Sequence, residues 1–141
     1  MNLERAIEIA VEAHKGTFDK GGNPYVLHPL RVMFSLHSEE EKIVGVLHDV
    51  VEDSNWSFDD LVAEGFSETV IEGIKSVTKT DEVENYDSFV RRAKENPIGR
   101  KVKIADITDN LDVRRINELS SKDMERLNKY KKALSVLTSS N

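Results

Sequence analysis

The sequence predicts an all-α fold, a single domain over residues 1–141 built as a bundle of about seven to eight helices. Most apolar residues recur at spacings of three and four, which is typical of amphipathic helices, and strict alternation of apolar and polar residues is absent. Ser, Asn, Gly and Pro separate these patterns at positions that suit helix caps and stops. With 141 residues, 38% hydrophobic and 33% charged, the chain fits one globular domain.

The first helix and the loop after it are well marked. Asn2 is suited to cap a helix whose apolar stripe continues to about His14, and Gly16 ends that helix. The stretch 16–24 is rich in Gly, Asn and Pro and is predicted to be an irregular loop inside the domain.

The rest of the chain is expected to be helical with short connectors. Ser38 followed by three glutamates is typical of a helix start, and the central helix that it opens is apolar on much of its circumference. Pro97 disfavours helical geometry in the residue before it, so one helix is predicted to finish near Asn96. The stretch 79–84 is predicted to be a polar connector. The helices predicted after the first loop cover residues 29–36, 38–53, 58–64, 68–78, 85–96, 98–116 and 121–137.

Composition excludes several classes of protein. The formal net charge of -6 has the wrong sign for a protein that neutralises the phosphates of a nucleic acid, so duplex binding is not expected. No window approaches the roughly 18 to 20 apolar residues of a membrane span, and the N-terminus lacks the plan of a secretory signal, so a cytoplasmic location is expected. Because the chain has no Cys, any metal site must use His and carboxylate ligands.

The central helix carries an unusual group of ionisable side chains. On a helix with 100° per residue, His48, Glu52, Asp49 and Asp53 fall at relative angles of about 0°, 40°, 100° and 140°, which places them on one side. Burying three carboxylates and an imidazole together is costly, and a divalent cation is the simplest compensation. A solvated polar face is the alternative interpretation of the same pattern.

Two other segments have similar features. Asp106 lies between Ala105 and Ile107 in an apolar pattern and shares a helix face with Asn110, although an ordinary surface position would explain both. His28 precedes Pro29, whose fixed ring would orient it at a helix start. A lone His at such a place is more often structural.

Taken together, these segments resemble a known family in order and spacing. The matching stretches are Ala-His-Lys-Gly at 13–16, Pro-Tyr-Val-Leu-His-Pro-Leu-Arg-Val at 24–32, Leu-His-Asp-Val-Val-Glu-Asp at 47–53, Val-Thr-Lys at 77–79, and Val-Lys-Ile-Ala-Asp at 102–106 with Asn110. They resemble the HD-superfamily hydrolase domain of RelA/SpoT-type alarmone enzymes. The greatest likeness is to short stand-alone bacterial HD proteins and Mesh1-like small alarmone hydrolases.

The resemblance implies one divalent metal ion, usually manganese, held by His28, His48, Asp49 and Asp106. Two imidazoles and two carboxylates also suit Fe²⁺ or Zn²⁺. The family's Glu-Asp pair, which orients and deprotonates the attacking water, corresponds to Glu52 and Asp53. Glu52 has an alternative role as a hydrogen-bonding partner of a ligating His.

The resemblance also implies a partner, a phosphorylated guanosine nucleotide. Water would attack the 3′-diphosphate of (p)ppGpp, so that pyrophosphate leaves and GDP or GTP remains. The positions that match the family's substrate-binding residues, or that place a cation or a Tyr near the nucleotide, are Lys20, Lys79, Tyr86, Lys103 and Asn110.

Three acidic residues depart from the pattern of the long bifunctional enzymes. Asp19 stands where those enzymes have an Arg that rests on the guanine base, Asp112 replaces another Arg, and Asp109 adds a negative charge beside the site. A hydrolase for another phosphorylated nucleotide is therefore a second hypothesis. A third is a module that binds metal or nucleotide without turnover, although such a module has no need for Glu52 and Asp53. An oligomer is possible.

Overall fold

The computed structural model describes residues 1–79 and 83–140, and within these ranges the protein is built from α-helices. The fold class predicted from the sequence is therefore confirmed. The helical segments are α1 (Leu3–His14), α2 (Leu27–Phe34), α3 (Glu39–Leu47), α4 (Val50–Asp53), α5 (Phe58–Ala63), α6 (Glu68–Ser76), α7 (Tyr86–Glu95), α8 (Pro97–Asn110) and α9 (Ser121–Thr138).

Helix α3 is the centre of the bundle. Five consecutive residues from Ile43 to Leu47 are buried, which matches the continuous apolar pattern of this segment. Helices α1, α2, α6 and α8 pack around it. A smaller apolar cluster joins α7, α8 and α9 through Val90, Ile107, Ala133 and Leu137. Helix α8 thus belongs to both clusters and carries Asp106 between them.

Helix starts follow the local chemistry of the sequence. Ser38, Ser57 and Ser120 each form a capping box with the acidic residue three positions later, so that two otherwise unpaired backbone N–H groups are satisfied at each start. The side chain of Asn96 caps α8, which begins at Pro97. The predicted stop near Asn96 is confirmed, since α7 ends one residue earlier.

The predicted continuous central helix is wrong at His48 and Asp49, where the chain turns between α3 and α4. His48 Nδ1 lies 2.6 Å from the carbonyl oxygen of Gly45. In an unbroken helix that oxygen accepts from the N–H of Asp49, so the side chain competes with the backbone here. Asp49 has φ -102° and ψ -3°, outside ideal helical values.

Two other predicted boundaries need correction. The helix expected over 98–116 ends at Asn110, because the side chain of Asp112 accepts the N–H of Arg114 at 3.1 Å and turns the chain. Helix α2 begins at Leu27, so His28 lies within its first turn. Residues 80–82 of the predicted connector lie outside the described residues.

In the ranges 1–79 and 83–140, no helix has the length and apolar character needed to cross a membrane.

Candidate metal centre and adjoining cavity

Three separate parts of the chain place their side chains at one point. His28 comes from the first turn of α2, His48 and Asp49 come from the turn between α3 and α4, and Asp106 comes from the middle of α8. His28, His48 and Asp106 are buried, and Asp49 is partly buried. The four side chains that the resemblance assigns to a metal are thus neighbours, although up to 78 residues separate them in sequence.

The distances within this group fit ligands of a single ion. His28 Nε2 lies 2.9 Å from Asp106 Oδ1 and 3.9 Å from Asp49 Oδ2. His48 Nε2 lies 3.2 Å from Asp49 Oδ2 and 3.4 Å from Asp106 Oδ1. Ligand bonds of about 2.0 to 2.2 Å put neighbouring ligand atoms roughly 3 to 3.5 Å apart, which most of these pairs approach. His28, His48 and Asp49 form a compact set whose ligand atoms all lie within 4.8 Å of one another, and Asp106 approaches this set through the two imidazoles.

His48 provides an independent reason to expect a cation. Its Nδ1 is occupied by the carbonyl oxygen of Gly45, which leaves Nε2 directed at the two carboxylates. Among the described residues this buried Nε2 has no hydrogen-bond partner. A buried nitrogen without a hydrogen bond, facing carboxylate oxygens, is what a metal-ligating imidazole requires.

The protonation of the two histidines shows how much negative charge the group contains. Burial alone would lower the pKa of His48, but the charges of Asp49 and Asp106 raise it well above its usual value. Burial also opposes protonation of His28, yet hydrogen bonds with Asp106 and Asp109 raise its pKa. The neighbouring carboxylates thus favour a positive charge at both imidazoles, and a divalent cation bound between these groups would be favoured by the same negative charges.

Asp106 has two further partners from its own helix. Lys103 Nζ donates to Asp106 Oδ2 at 3.1 Å, and Asn110 Nδ2 donates to Asp106 Oδ1 at the same distance. Burial opposes ionisation of Asp106, but the charges of Lys103 and His48 hold its pKa well below the usual range. Lys103 is itself buried, and its Nζ lies 4.5 Å from the ring centroid of Phe89. In this structure Lys103 therefore supports Asp106, while its predicted substrate contact stays a prediction.

Asp49 is oriented by Tyr25, a residue for which the sequence predicts no role. Tyr25 Oη donates to Asp49 Oδ2 at 2.5 Å. Burial and the neighbouring charge of Asp49 raise the pKa of Tyr25, which keeps it a donor. The only sequence signal for this role is the position of Tyr25 three residues before His28.

Asp109 is a second residue whose role the sequence did not reveal. Its Oδ2 accepts from His28 Nδ1 at 2.6 Å, and both of its carboxylate oxygens accept from Arg31, at 2.7 and 3.1 Å. Arg115 adds a bond to the backbone oxygen of Asp109 at 3.1 Å. From the sequence alone, Asp109 is predicted only to add a negative charge beside the site.

Glu52 and Asp53 occupy the end of α4, both exposed. Glu52 Oε1 accepts the backbone N–H of Lys79 at 2.5 Å, so one of its oxygens tethers the segment after α6. Partial burial and the charges of Asp49 and Glu52 raise the pKa of Asp53 to about 6. The water-activating role of both residues stays a prediction.

A cavity of about 300 Å³ adjoins the group at His28 and Asn110. Three segments contribute its charged lining: the loop after α1, α2, and the chain from the end of α8 into α9. Its basic lining residues are Lys20, Arg31, Arg115 and Arg126, its acidic ones are Asp19, Asp112 and Asp123, and its apolar ones include Phe18, Val113, Ile116, Leu119, Leu127 and Tyr130, besides Gly21 and Tyr25.

Close packing and ion pairs hold these walls together. A Cβ on Gly21 would lie 2.5 Å from the backbone oxygen of Arg115, so only glycine lets the first loop approach so closely. Lys20 Nζ donates to Asp123 Oδ1 at 2.6 Å, and Arg126 donates to the same oxygen at 2.5 Å. The predicted substrate residues Lys20 and Asn110 both line the cavity, and any anion that binds Lys20 competes with Asp123.

Lys79 and Tyr86 are not among the residues that line this cavity. Lys79 is exposed at the end of the segment that Glu52 tethers. The Tyr86 hydroxyl is buried without a hydrogen-bond partner among the described residues, and Lys129 Nζ lies 4.2 Å from its ring centroid. Their predicted substrate contacts stay predictions.

Comparisons with known proteins find the same resemblance. The chain is 32% identical over 120 residues to a protein of Aquifex aeolicus named guanosine-3′,5′-bis(diphosphate) 3′-pyrophosphohydrolase, and that alignment covers 77% of the chain. It is 34% identical over 96 residues to a protein of the same name from Borreliella burgdorferi. This chain is an HD domain of the RelA/SpoT type. A scan against protein-family models finds no match.

The fold of this HD domain is also that of a solved relative. The structure of a metazoan SpoT ortholog, described as hydrolysing ppGpp, matches 99% of the chain and 86% of that protein with a TM-score of 0.77 at 24% identity. The chain spans only 17% of the Aquifex protein and 14% of the Borreliella protein. The comparisons thus establish the domain type and its fold.

Proposed function

We propose that this HD domain is a metal-dependent phosphohydrolase that removes pyrophosphate from the 3′ position of (p)ppGpp and leaves GDP or GTP. The observation that carries the proposal is the convergence of His28, His48, Asp49 and Asp106 beside a cavity with four basic residues. A cluster of this kind fits hydrolysis of a highly charged phosphate ester better than it fits a structural site, because one of its members, His28, also lines that cavity.

The cavity has both basic and apolar lining residues. Lys20, Arg31 and Arg115 bring cations to its walls, although each is paired with an aspartate, and its apolar residues can hold a base and a ribose. A second, larger cavity of about 550 Å³ includes none of the predicted metal, catalytic or substrate residues. The smaller cavity is therefore the better candidate for the nucleotide.

The bound ion, which we propose to be Mn²⁺, would polarise the phosphoryl group and make water a better nucleophile near neutral pH. His28 and His48 would hold it through Nε2, and Asp49 and Asp106 through carboxylate oxygens. Glu52 and Asp53 would orient the attacking water and accept its proton. Asn110 would keep Asp106 oriented through the bond that it already makes. The predicted cytoplasmic location would place the enzyme with its nucleotide.

A hydrolase for another phosphorylated nucleotide is the second candidate, because Asp19 and Asp112, which depart from the pattern of the long bifunctional enzymes, both line the cavity. Asp19 Oδ1 accepts the N–H groups of Gly21 and Asn23, so this residue stabilises its loop and leaves its other oxygen for a ligand. Asp112 is engaged by Arg114. A base can donate an N–H to the other oxygen of Asp19, and since guanine, adenine and cytosine all carry such groups, a panel of nucleotides decides between the two candidates.

Purified protein incubated with Mn²⁺ and ppGpp tests both candidates. We expect GDP and pyrophosphate in equal amounts, complete loss of turnover with a chelator, and recovery when Mn²⁺ is added back. His48→Ala should abolish turnover, while His37→Ala, which changes an exposed His near α3, should retain it. The absence of pyrophosphate release from neutral to alkaline pH would refute the first candidate, and turnover of adenine or pyrimidine nucleotides instead would establish the second.

A further inference from the structure

We infer that Asp109 is the positioning residue for His28, and that it fixes which imidazole nitrogen faces the metal. This inference rests on the proposed metal site. A histidine ligates through one ring nitrogen, and a hydrogen bond at the other nitrogen decides the tautomer and the direction of the ring. His28 Nδ1 lies 2.6 Å from Asp109 Oδ2, while Nε2 faces Asp106 and Asp49.

The carboxylate of Asp109 is itself held in place. Arg31 Nε donates to Asp109 Oδ1 at 2.7 Å, and Arg31 Nη2 donates to Oδ2 at 3.1 Å, which is the two-point geometry of a guanidinium with a carboxylate. Arg115 Nη2 lies 3.5 Å from Asp109 Oδ2 and donates to the backbone oxygen of the same residue. Asp109 therefore has little freedom to rotate, and neither has the imidazole bonded to it.

The positions of these residues on α2 and α8 explain why Asp109 contacts His28. Asp106 and Asp109 are three residues apart on α8, so both face α2, and they contact opposite nitrogens of one ring. Arg31 lies three residues after His28 on α2 and meets the same carboxylate. His28 and Arg31 on α2 thus form one unit with Asp106 and Asp109 on α8. In this unit Asp106 lies at the proposed metal position and Asp109 holds the imidazole ring.

Metal affinity provides the first test. In Mn²⁺ titrations of the full chain, Asp109→Ala should bind Mn²⁺ about 10- to 100-fold more weakly than wild type, as for other carboxylates behind a ligating His. Asp109→Asn keeps an acceptor oxygen and should lose less Mn²⁺ affinity than Asp109→Ala. Asp112→Asn is the matched control, because it removes a neighbouring charge that contacts Arg115 but not His28, and its Mn²⁺ affinity should stay within about twofold of wild type.

Imidazole NMR provides the second test, which a purely structural role would not affect. In the Zn²⁺-loaded wild type, His28 should show a protonated, hydrogen-bonded Nδ1, and Asp109→Ala should lose that signal. His48, whose Nδ1 is bonded to Gly45, is an internal control and should keep its own signal in every variant.

The outcomes separate the inference from the proposed function. Wild type that binds no divalent ion overturns the metal site and the inference together. Wild type that binds Mn²⁺ while Asp109→Ala binds it equally well overturns the inference alone. An equal loss in Asp112→Asn, or an unchanged His28 signal in Asp109→Ala, also overturns it.

Discussion

At the scale of single residues, Glu52 combines one observed contact with a proposed catalytic role, and substitution by Gln separates the two. Its Oε1 accepts the N–H of Lys79 and so ties α4 to the segment after α6. The proposed catalytic role instead needs a carboxylate that accepts a proton. Gln keeps an oxygen acceptor for Lys79 but cannot act as a base at neutral pH.

Glu52→Gln should therefore lower turnover of ppGpp by about 100-fold or more, in line with the loss of a general base, while Mn²⁺ affinity remains unchanged. Single-turnover hydrolysis and a Mn²⁺ titration of the same preparation measure the two quantities. Asp59→Asn, which neutralises an exposed carboxylate on α5, is a suitable control and should retain full turnover. Turnover equal to wild type would remove Glu52 from the chemistry.

The residues that the sequence could indicate are those that belong to local patterns. The proposed ligands stand in recognisable motifs, and the structure brings them together. Asp109 differs because its meaning depends on a partner 81 positions away. In the sequence it is one more acid near a predicted anion site, and only the fold shows that two arginines and an imidazole surround it.

At the scale of elements, the crossing of α6 and α8 depends on the absence of a side chain at Gly99. A Cβ at this position would lie 1.9 Å from Ser76 Oγ and 3.0 Å from Ser76 Cβ, well inside contact distance. Helix α8 carries Asp106 further along, so any shift of this crossing also moves a proposed ligand.

Gly99→Ala should destabilise the domain by about 1 to 3 kcal/mol, as overpacking does, although Ala is the better helix former. Equilibrium urea unfolding measures the change. Ser76→Ala removes the nearest atom, so Gly99→Ala should cost clearly less in that background than in wild type. Equal costs in the two backgrounds would show that Ser76 is not the obstacle.

Element boundaries show where sequence patterns suffice. The cap at Ser38 was legible because a cap needs only residues within one turn. The turn at His48 and Asp49 was not, since no Gly or Pro marks it and the cause is a side-chain bond to the carbonyl of Gly45. The end of α8 at Asn110 was missed for a similar reason, a turn closed by Asp112.

At the scale of the whole molecule, an ion pair between two helices that are far apart in sequence makes the free energy of unfolding depend on pH. Glu41 on α3 accepts from Lys101 Nζ on α8 at 2.9 Å and also caps its own helix. The Lys101 bond, opposed by burial, holds the pKa of Glu41 below its usual value. The stabilisation by this ion pair is therefore fully present above the pKa of about 4.3 that Glu41 has in the unfolded chain. It is lost as the pH falls through the lower pKa that Glu41 has in the folded protein.

Glu41→Gln should thus unfold at lower urea concentration than wild type at pH 7, and the difference should shrink as the pH falls below about 4. Glu40→Gln, an exposed change in the same helical turn, should differ from wild type by an amount that varies little over this range. A difference for Glu41→Gln that stays constant from pH 7 to pH 3 would contradict the assignment.

Metal binding links all parts of the molecule, because α2, the turn before α4, and α8 meet only in the folded chain. An ion that binds the folded state alone stabilises it by about 2.7 kcal/mol at a free concentration of 100 times Kd, which for a domain of this size raises Tm by roughly 10 °C.

We expect this rise in Tm with Mn²⁺ in wild type and its reversal by a chelator. His48→Ala should remove the dependence on Mn²⁺ and His37→Ala should preserve it, since His48, unlike His37, lies beside Asp49 and Asp106. If wild type and His48→Ala gained equal Tm from Mn²⁺, the ion would be binding elsewhere, and the convergence of the three segments would not be a metal centre.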